Sequence, residues 1–205
     1  MTADQPGYDA LADLYDRTFP DPFQTALERR AVDAFADMVL ESRPDAGVVD
    51  VGCGTGGVSA HLAGRGLSVC GVDPSAGMLA VARRRHPQLT LRTDDARLVT
   101  VDLSRVGGVV ARHSLIHVPP DEVREILVDW SARLSAGAVV LISTQAADEP
   151  GVHEFDHAVA KAWRWHPDAL ADAVVAAGFA EIWRTVSRAD ADHRFPDVHL
   201  TARRP

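Results

Sequence analysis

The sequence predicts an α/β protein whose mostly parallel sheet carries helices on both faces. Three observations predict it. Short apolar runs alternate with helical stretches from about residue 45 to 145. The first apolar run passes into a helix through a burst of glycines, "VVDVGCGTGG" at 48–57. The chain then closes with two alternating apolar–polar segments joined by a polar turn, which reads as an antiparallel hairpin on the sheet edge.

Each element has its own local reason. The lead-in "YDALADLYDRTF" has apolar residues at helical spacing, "PDPF" interrupts it, and "FQTALERRAVDAFADMVLES" continues as a long amphipathic helix that "RPDAG" breaks. "GVVDV" is the first strand, and "GVSAHLAGRG" is a helix stopped by glycine. "LSVCGVD" is the second strand, followed by "PSAGMLAVARRRH", a helix expected to start at its proline. "LTLRTDD" and "VGGVVARHS" are strands three and four, "PPDEVREILVDWSARLS" is a helix, and "AGAVVLISTQ" is strand five. "HPDALADAVVAAGF" is a last helix closed by Gly178, before the hairpin segments "AEIWRTVSR" and "DVHLTARRP".

Length and composition narrow the function classes. A chain of 205 residues, 46% hydrophobic and 24% charged, suits one globular domain with a full core. The net charge of −8 opposes broad binding to nucleic acid or an anionic membrane, both of which need a basic face. The basic run at 83–85 falls at a helix end, where cations suit the dipole. Two cysteines, Cys53 and Cys70, make no disulfide framework. The start "MTADQPGYDALADLYD" lacks an apolar h-region and no stretch reaches membrane-span length, so the expected location is cytoplasmic.

Gly52, Gly54 and Gly56 sit where strand one becomes a helix, so a ligand there presses on backbone that a Cβ would block. Gly57 completes a G-x-G-x-x-G with Gly52 and Gly54, which fits a dinucleotide site as well. Asp73, ending strand two, suits ribose hydroxyls under either reading, or an N-cap before Pro74. Asp50 separates the readings: a pyrophosphate gains nothing from a carboxylate two residues ahead of Gly52, whereas a ligand bearing an ammonium group gains a partner. "TDDA" at 93–96 adds an acid where an adenine amino group can be read, and a terminal antiparallel hairpin is unusual for a nicotinamide-binding fold.

Taken in order, "VVDVGCGTGG", "VCGVDPSAGML", "TDDARL", "ARHSLIHVPPDE" and "LSAGAVVLIS" resemble the successive motifs of class I S-adenosylmethionine-dependent methyltransferases. "YDALADLYD" resembles the lid helix of that family's small-molecule branch. The resemblance implies a Rossmann-like sheet of seven strands, the last antiparallel, under an N-terminal helical lid. It divides a single domain, 1–205, into a lid and lead-in (1–42), a cofactor-binding core (43–145), a substrate-pocket segment (146–168) and a C-terminal helix with hairpin (169–205). Gly52, Gly54 and Gly56 would shape the loop under the methionine part of S-adenosyl-L-methionine, with Asp50 directing its ammonium group. Asp73 would take the ribose hydroxyls and Met78 would lie against the adenine. Asp95 and the backbone of Ala96 would read the adenine edge, with Asp94 as the alternative acid. Arg112 and His113 would flank the sulfonium, and Tyr8 or Tyr15 would close over the site.

Methyl transfer is an in-line displacement, so the protein supplies alignment, water exclusion and, for a protonated nucleophile, a base. His117 is the first choice for base or substrate contact and His113 the second; bracing of the turn into "PPDE" and a structural role are the competing readings. "HEFDH" at 153–157 matches the zinc motif H-E-x-x-H, but the surrounding α/β pattern and the missing third ligand argue against it, and no metal is expected. Topology instead makes His153, Phe155, His157, Trp163 and Trp165 candidates to line an acceptor pocket, against ordinary packing as the alternative. Tyr8 and Gln145 are further acceptor contacts. The expected activity is transfer of a methyl group to oxygen or nitrogen of a small organic acceptor. "RHSL" stands where amino-methylating nucleic-acid enzymes carry an asparagine-proline-aromatic tetrad, so no nucleic-acid partner is expected. A nicotinamide-dependent reductase and a non-catalytic S-adenosylmethionine-binding module are the rival readings.

Overall fold

The computed structural model of the chain describes residues 6–205. Helix α1 (Pro6–Thr18) is the predicted lead-in, and α2 (Ala26–Ser42) follows. α2 starts later than its apolar pattern predicts, because Thr25 and Glu28 form a capping box: the Thr25 hydroxyl accepts from Glu28 N at 3.1 Å and the Glu28 carboxylate accepts from Thr25 N. Alternating strands and helices then build the core: β1 (Gly47–Val51), α3 (Gly57–Gly64), β2 (Val69–Asp73), α4 (Ala76–Arg85), β3 (Thr90–Thr93), β4 (Val106–Arg112), α5 (Pro120–Arg133) and β5 (Val139–Gln145). α4 begins at Ala76 rather than at Pro74. The Ser75 hydroxyl caps it by accepting from Met78 N at 3.1 Å, which leaves Asp73 outside the cap.

The segment after β5 forms a small antiparallel hairpin of its own, β6 (Val152–Phe155) and β7 (Ala162–Trp165), before α6 (Pro167–Ala176), β8 (Ala180–Val186) and β9 (Asp197–Arg203). The main sheet has seven strands in the order β3-β2-β1-β4-β5-β9-β8. β9 runs antiparallel to both neighbours and the pairs among the first five strands are parallel, as expected. The terminal hairpin therefore inserts β9 between β5 and β8, so β8 is the edge at that end and β3 the edge at the other.

The period of two along each strand sorts the valines to opposite faces. Val48, Val110 and Leu141 pack with Phe35, Val39 and Leu62 of α2 and α3. Val49, Val109 and Val140 pack on the other face with Leu127, Trp130 and Val174 of α5 and α6. Fully burying a side chain of this kind contributes ~1.5–3 kcal/mol. The two cores fix the sheet, and the carboxyl ends of β1, β2, β4 and β5 come out along one rim. Helix α1 lies over that rim against α4, fastened where Asp9 accepts from Ser75 Oγ at 2.6 Å and Gly77 N at 2.7 Å. Ion pairs Asp13–Arg84 and Asp16–Arg85 extend the seam, so the basic end of α4 holds the lid as well as suiting the helix dipole. Among the described residues, no helix is long and apolar enough to cross a membrane.

Candidate active site

A cavity of about 1090 Å³ runs along the rim beneath α1, from the glycine turn to the start of β9. Its size exceeds the ~300–1,000 Å³ usual for a single ligand pocket, which leaves space for two molecules side by side. At one end lies the turn after β1. Gly52 has φ +67°, and a Cβ there would fall 2.3 Å from Cβ of Ser114. Gly54 has φ +53°, and nothing stands within 4 Å of where its Cβ would be. Gly52 is thus demanded by packing, while the missing side chain at Gly54 opens the turn towards the cavity. Gly56 shapes the turn from behind, at φ +84° with its Cβ position 3.2 Å from Ala82 and His86, and it does not line the cavity.

Two buried acids back this turn. Asp50, 2% exposed, accepts from Ser59 Oγ at 2.6 Å. Burial pushes its carboxyl up to about 6, against the pull of the Ser59 hydroxyl and the Arg112 charge. Asp73 accepts from Gly54 N at 2.9 Å and from Ser75 N at 2.8 Å, so it ties the glycine turn to the start of α4. Burial raises its pKa, and those two N–H groups oppose the rise. Met78 lines the same end. Past β3 the two candidate acids separate. Asp94 accepts from Asp95 N, Thr100 N and Thr100 Oγ1, whereas the Asp95 carboxylate, among the described residues, accepts only from Arg97 N. Both acids and Ala96 line the cavity, with the Ala96 carbonyl held at 2.8 Å by Nε1 of Trp130.

The middle and far end carry the polar groups of β4, α1 and the hairpin loop. Arg112 ends β4, pairs with Glu28 at 2.7 Å, donates to the Pro22 carbonyl and lies over the Phe23 ring. His113 follows at φ +51°, and burial pushes its imidazole down to about 3, so it is neutral. His117 is 5% exposed and bridges three elements. Its Nδ1 meets the Lys161 carbonyl at 3.0 Å and its Nε2 meets the Tyr8 hydroxyl at 2.9 Å. A carbonyl only accepts, so Nδ1 carries the proton and Nε2 offers a lone pair to the phenol. Burial lowers the His117 pKa and raises that of Tyr8. His157 stacks edge-on against His117 with ring centroids 4.8 Å apart, and Tyr15, 38% exposed, stands beside Tyr8 at the mouth.

Four residues expected at the acceptor pocket lie elsewhere. Trp165 is 2% exposed in the main core, since β7 docks on the end of β5 through the Ala147–Trp165 hydrogen bond. His153 Nε2 sits against the Pro150 carbonyl at 3.0 Å. Phe155 stacks on Phe195, and Trp163 lies under Lys161. Strand pairing in the β6–β7 hairpin turns these side chains from the cavity, and its connecting loop brings His157 in instead. Glu154 pairs with Lys161 at 2.7 Å, so the H-E-x-x-H match is dispersed over a strand and a loop. The structure also adds Glu28, Phe19 and Asp197 to the lining. The capping pattern Thr25–Glu28 was legible, but only the packing of α2 against β4 brings that carboxylate to the site.

A glycine turn open to ligand, three acids along the rim and a neutral histidine pair define a site for a cationic nucleoside-like cofactor on a doubly wound sheet. Comparison with known proteins agrees. Residues 48–138 match the family described as "Methyltransferase domain". The chain is 33% identical over 137 residues to a dTDP-3-amino-3,6-dideoxy-alpha-D-glucopyranose N,N-dimethyltransferase of Streptomyces fradiae, covering 58% of this chain and 53% of that one. A magnesium protoporphyrin IX methyltransferase from Synechocystis PCC 6803, solved with bound S-adenosylhomocysteine, superposes at a TM-score of 0.72 with 18% identity, covering 98% of this chain and 97% of the other. The [4+2]-cyclase SpnF superposes at 0.75 with 17% identity, over 98% and 94% of the two chains. Residues 48–138 thus match a methyltransferase domain, and the whole chain is similar in fold to S-adenosylmethionine-dependent methyltransferases of class I. It spans about half the length of the curated relatives it matches.

Proposed function

We propose that this protein transfers the methyl group of S-adenosylmethionine to an oxygen or nitrogen of a small organic acceptor. The observation that carries the proposal is the continuity of one cavity from the Gly54 turn to the Tyr8–His117 pair. At the first end the open Gly54 cradle and the acids fit the cofactor: Asp50 towards its ammonium group, Asp73 towards the ribose, Asp95 and Ala96 towards the base, and Met78 against its face. When bound, the cofactor supplies an electrophilic methyl on a positively charged sulphur.

The chain's own residues do the rest. Helix α1 covers the rim and excludes water. Tyr8 holds the acceptor by its hydroxyl, which donates to His117 and keeps lone pairs free to accept an acceptor O–H or N–H. His117, neutral and oriented by the Lys161 carbonyl, takes the proton released by that group through Tyr8. Arg112 and His113 stand at the end of β4, between the two halves of the cavity. The acidic net charge supports a small acceptor over nucleic acid. The two free cysteines support a reducing, cytoplasmic location.

The likeness to SpnF, a [4+2]-cyclase, supports a second reading, in which this cofactor-holding fold serves a reaction other than methyl transfer. Calorimetric titration with S-adenosylhomocysteine and NADH, followed by turnover over an acceptor panel read as S-adenosylhomocysteine release, separates them. Binding and turnover support methyl transfer. Binding with no turnover favours the cofactor-holding reading, and binding of NADH alone overturns both.

A further inference from the structure

Beyond the Tyr8–His117 pair, the far end of the cavity is rich in hydrogen-bond acceptors and short of donors. Gln145 and Asp197 pair in register across β5 and β9, and both line the cavity. Among the described residues, Gln145 Oε1 and His113 Nδ1 are buried without a hydrogen bond of good geometry, the Gln145 side chain acting on the His113 ring only loosely, and no hydrogen-bond donor meets the Asp197 carboxylate. Glu28 is close by: its carboxylate, an Asp197 oxygen and a His113 nitrogen lie within 4.8 Å of one another. Glu28 is already committed, with Oε2 accepting from Arg112 at 2.7 Å and from Gln24 N at 2.6 Å. His193, at the rim, pairs with Asp190.

The charge balance is therefore specific. Arg112 and His193 both act on Asp197 through space, but Arg112 is bonded to Glu28 and His193 to Asp190, and His113 is neutral, so the three carboxylates of this end outnumber its two cations by one. A partly buried carboxylate with no bonded partner is costly unless a ligand supplies the counter-charge. Burial and the Glu28 charge raise the Asp197 carboxyl to about 6, and the Arg112 and His193 charges offset only part of that rise.

We infer that the acceptor carries a basic amine, bound as an ammonium group between the Asp197 carboxylate and Gln145 Oε1. The inference rests on the methyltransferase reading for the word acceptor, but the ammonium site stands on its own geometry. One ammonium balances one uncompensated carboxylate and its N–H groups satisfy the orphaned oxygens. A divalent metal fits less well, because Glu28 already pairs with Arg112 through Oε2.

The test uses the full chain saturated with S-adenosylhomocysteine and two matched pairs of probes, benzylamine with benzyl alcohol and cyclohexylamine with cyclohexanol, titrated near neutral pH and read by protein NMR shifts. The amines are expected to bind about tenfold or more tightly than the alcohols, as a charge-assisted hydrogen bond allows. Asp197→Asn, which removes the lone charge without changing shape, should abolish that preference while leaving alcohol and S-adenosylhomocysteine affinity unchanged. Equal binding of amine and alcohol, an absence of amine binding, or a preference that survives Asp197→Asn overturns the inference. So does stabilisation by manganese or zinc that is lost in His113→Ala, which would make the cluster a metal site. Failure to bind S-adenosylhomocysteine would count against the methyltransferase reading alone; retained binding with no amine preference counts against this inference alone.

Discussion

Replacing Asp50 by asparagine tests the electrostatic design of the cofactor end. Asp50 is 2% exposed, and its carboxyl rises from 3.8 to about 6 on folding, chiefly through burial. The native state therefore holds its proton more tightly than the unfolded chain does. Its contribution to stability is complete below about pH 4 and is lost as pH rises through about 6. The gap between the two values amounts to ~3 kcal/mol of native-state penalty at neutral pH. Asparagine keeps an oxygen for the Ser59 hydroxyl but adds an N–H pair to satisfy, so Asp50→Asn should stabilise the ligand-free protein by about 1–3 kcal/mol near neutrality. The gain should shrink towards zero at about pH 4, where wild type is already protonated. Urea unfolding of both proteins at the two pH values measures this, and calorimetry should show S-adenosylmethionine binding weakened by ~1.5–3 kcal/mol. A variant no more stable than wild type at neutral pH, or equally stabilised at both, would refute the reasoning.

Gly54→Ala should fold with a loss of about 1 kcal/mol yet lose most cofactor affinity, because its methyl enters the open cradle. Gly52→Ala should instead unfold at markedly lower urea, since its Cβ meets Ser114, and comparing the two melting curves with their binding isotherms checks the distinction. Tyr8→Phe and His117→Ala should each lower kcat by roughly 10²–10⁴ while sparing S-adenosylhomocysteine affinity; turnover retained in both removes the pair from proton transfer. Asp9→Ala cuts the bonds to Ser75 and Gly77, so hydrogen exchange in α1 should accelerate and the KM for both substrates should rise. Unchanged exchange would mean that the ion pairs to Arg84 and Arg85 suffice.

Local chemistry is what the sequence expressed well. The period-two valines, the glycine stops and the alternation of strand and helix are read within a few residues of where their physics acts, so the layered α/β sheet was legible. So was the lining of the glycine-turn end of the cavity, because Asp50, Gly52, Gly54, Asp73 and Asp95 each sit at a fixed offset from a strand end. Capping was subtler: only the geometry showed Ser75, and neither Asp73 nor Pro74, opening α4. The acceptor end depends on contacts between distant segments. Tyr8 meets His117 across 109 positions and Lys161 meets it across 44. Aromatic residues near the site, such as Trp165 and Phe155, carry no mark in sequence of which way a hairpin will face them. Strand pairing and core packing decided that, sending Trp165 inward and bringing His157, Glu28 and Asp197 to the cavity, since burial and register are properties of the whole sheet.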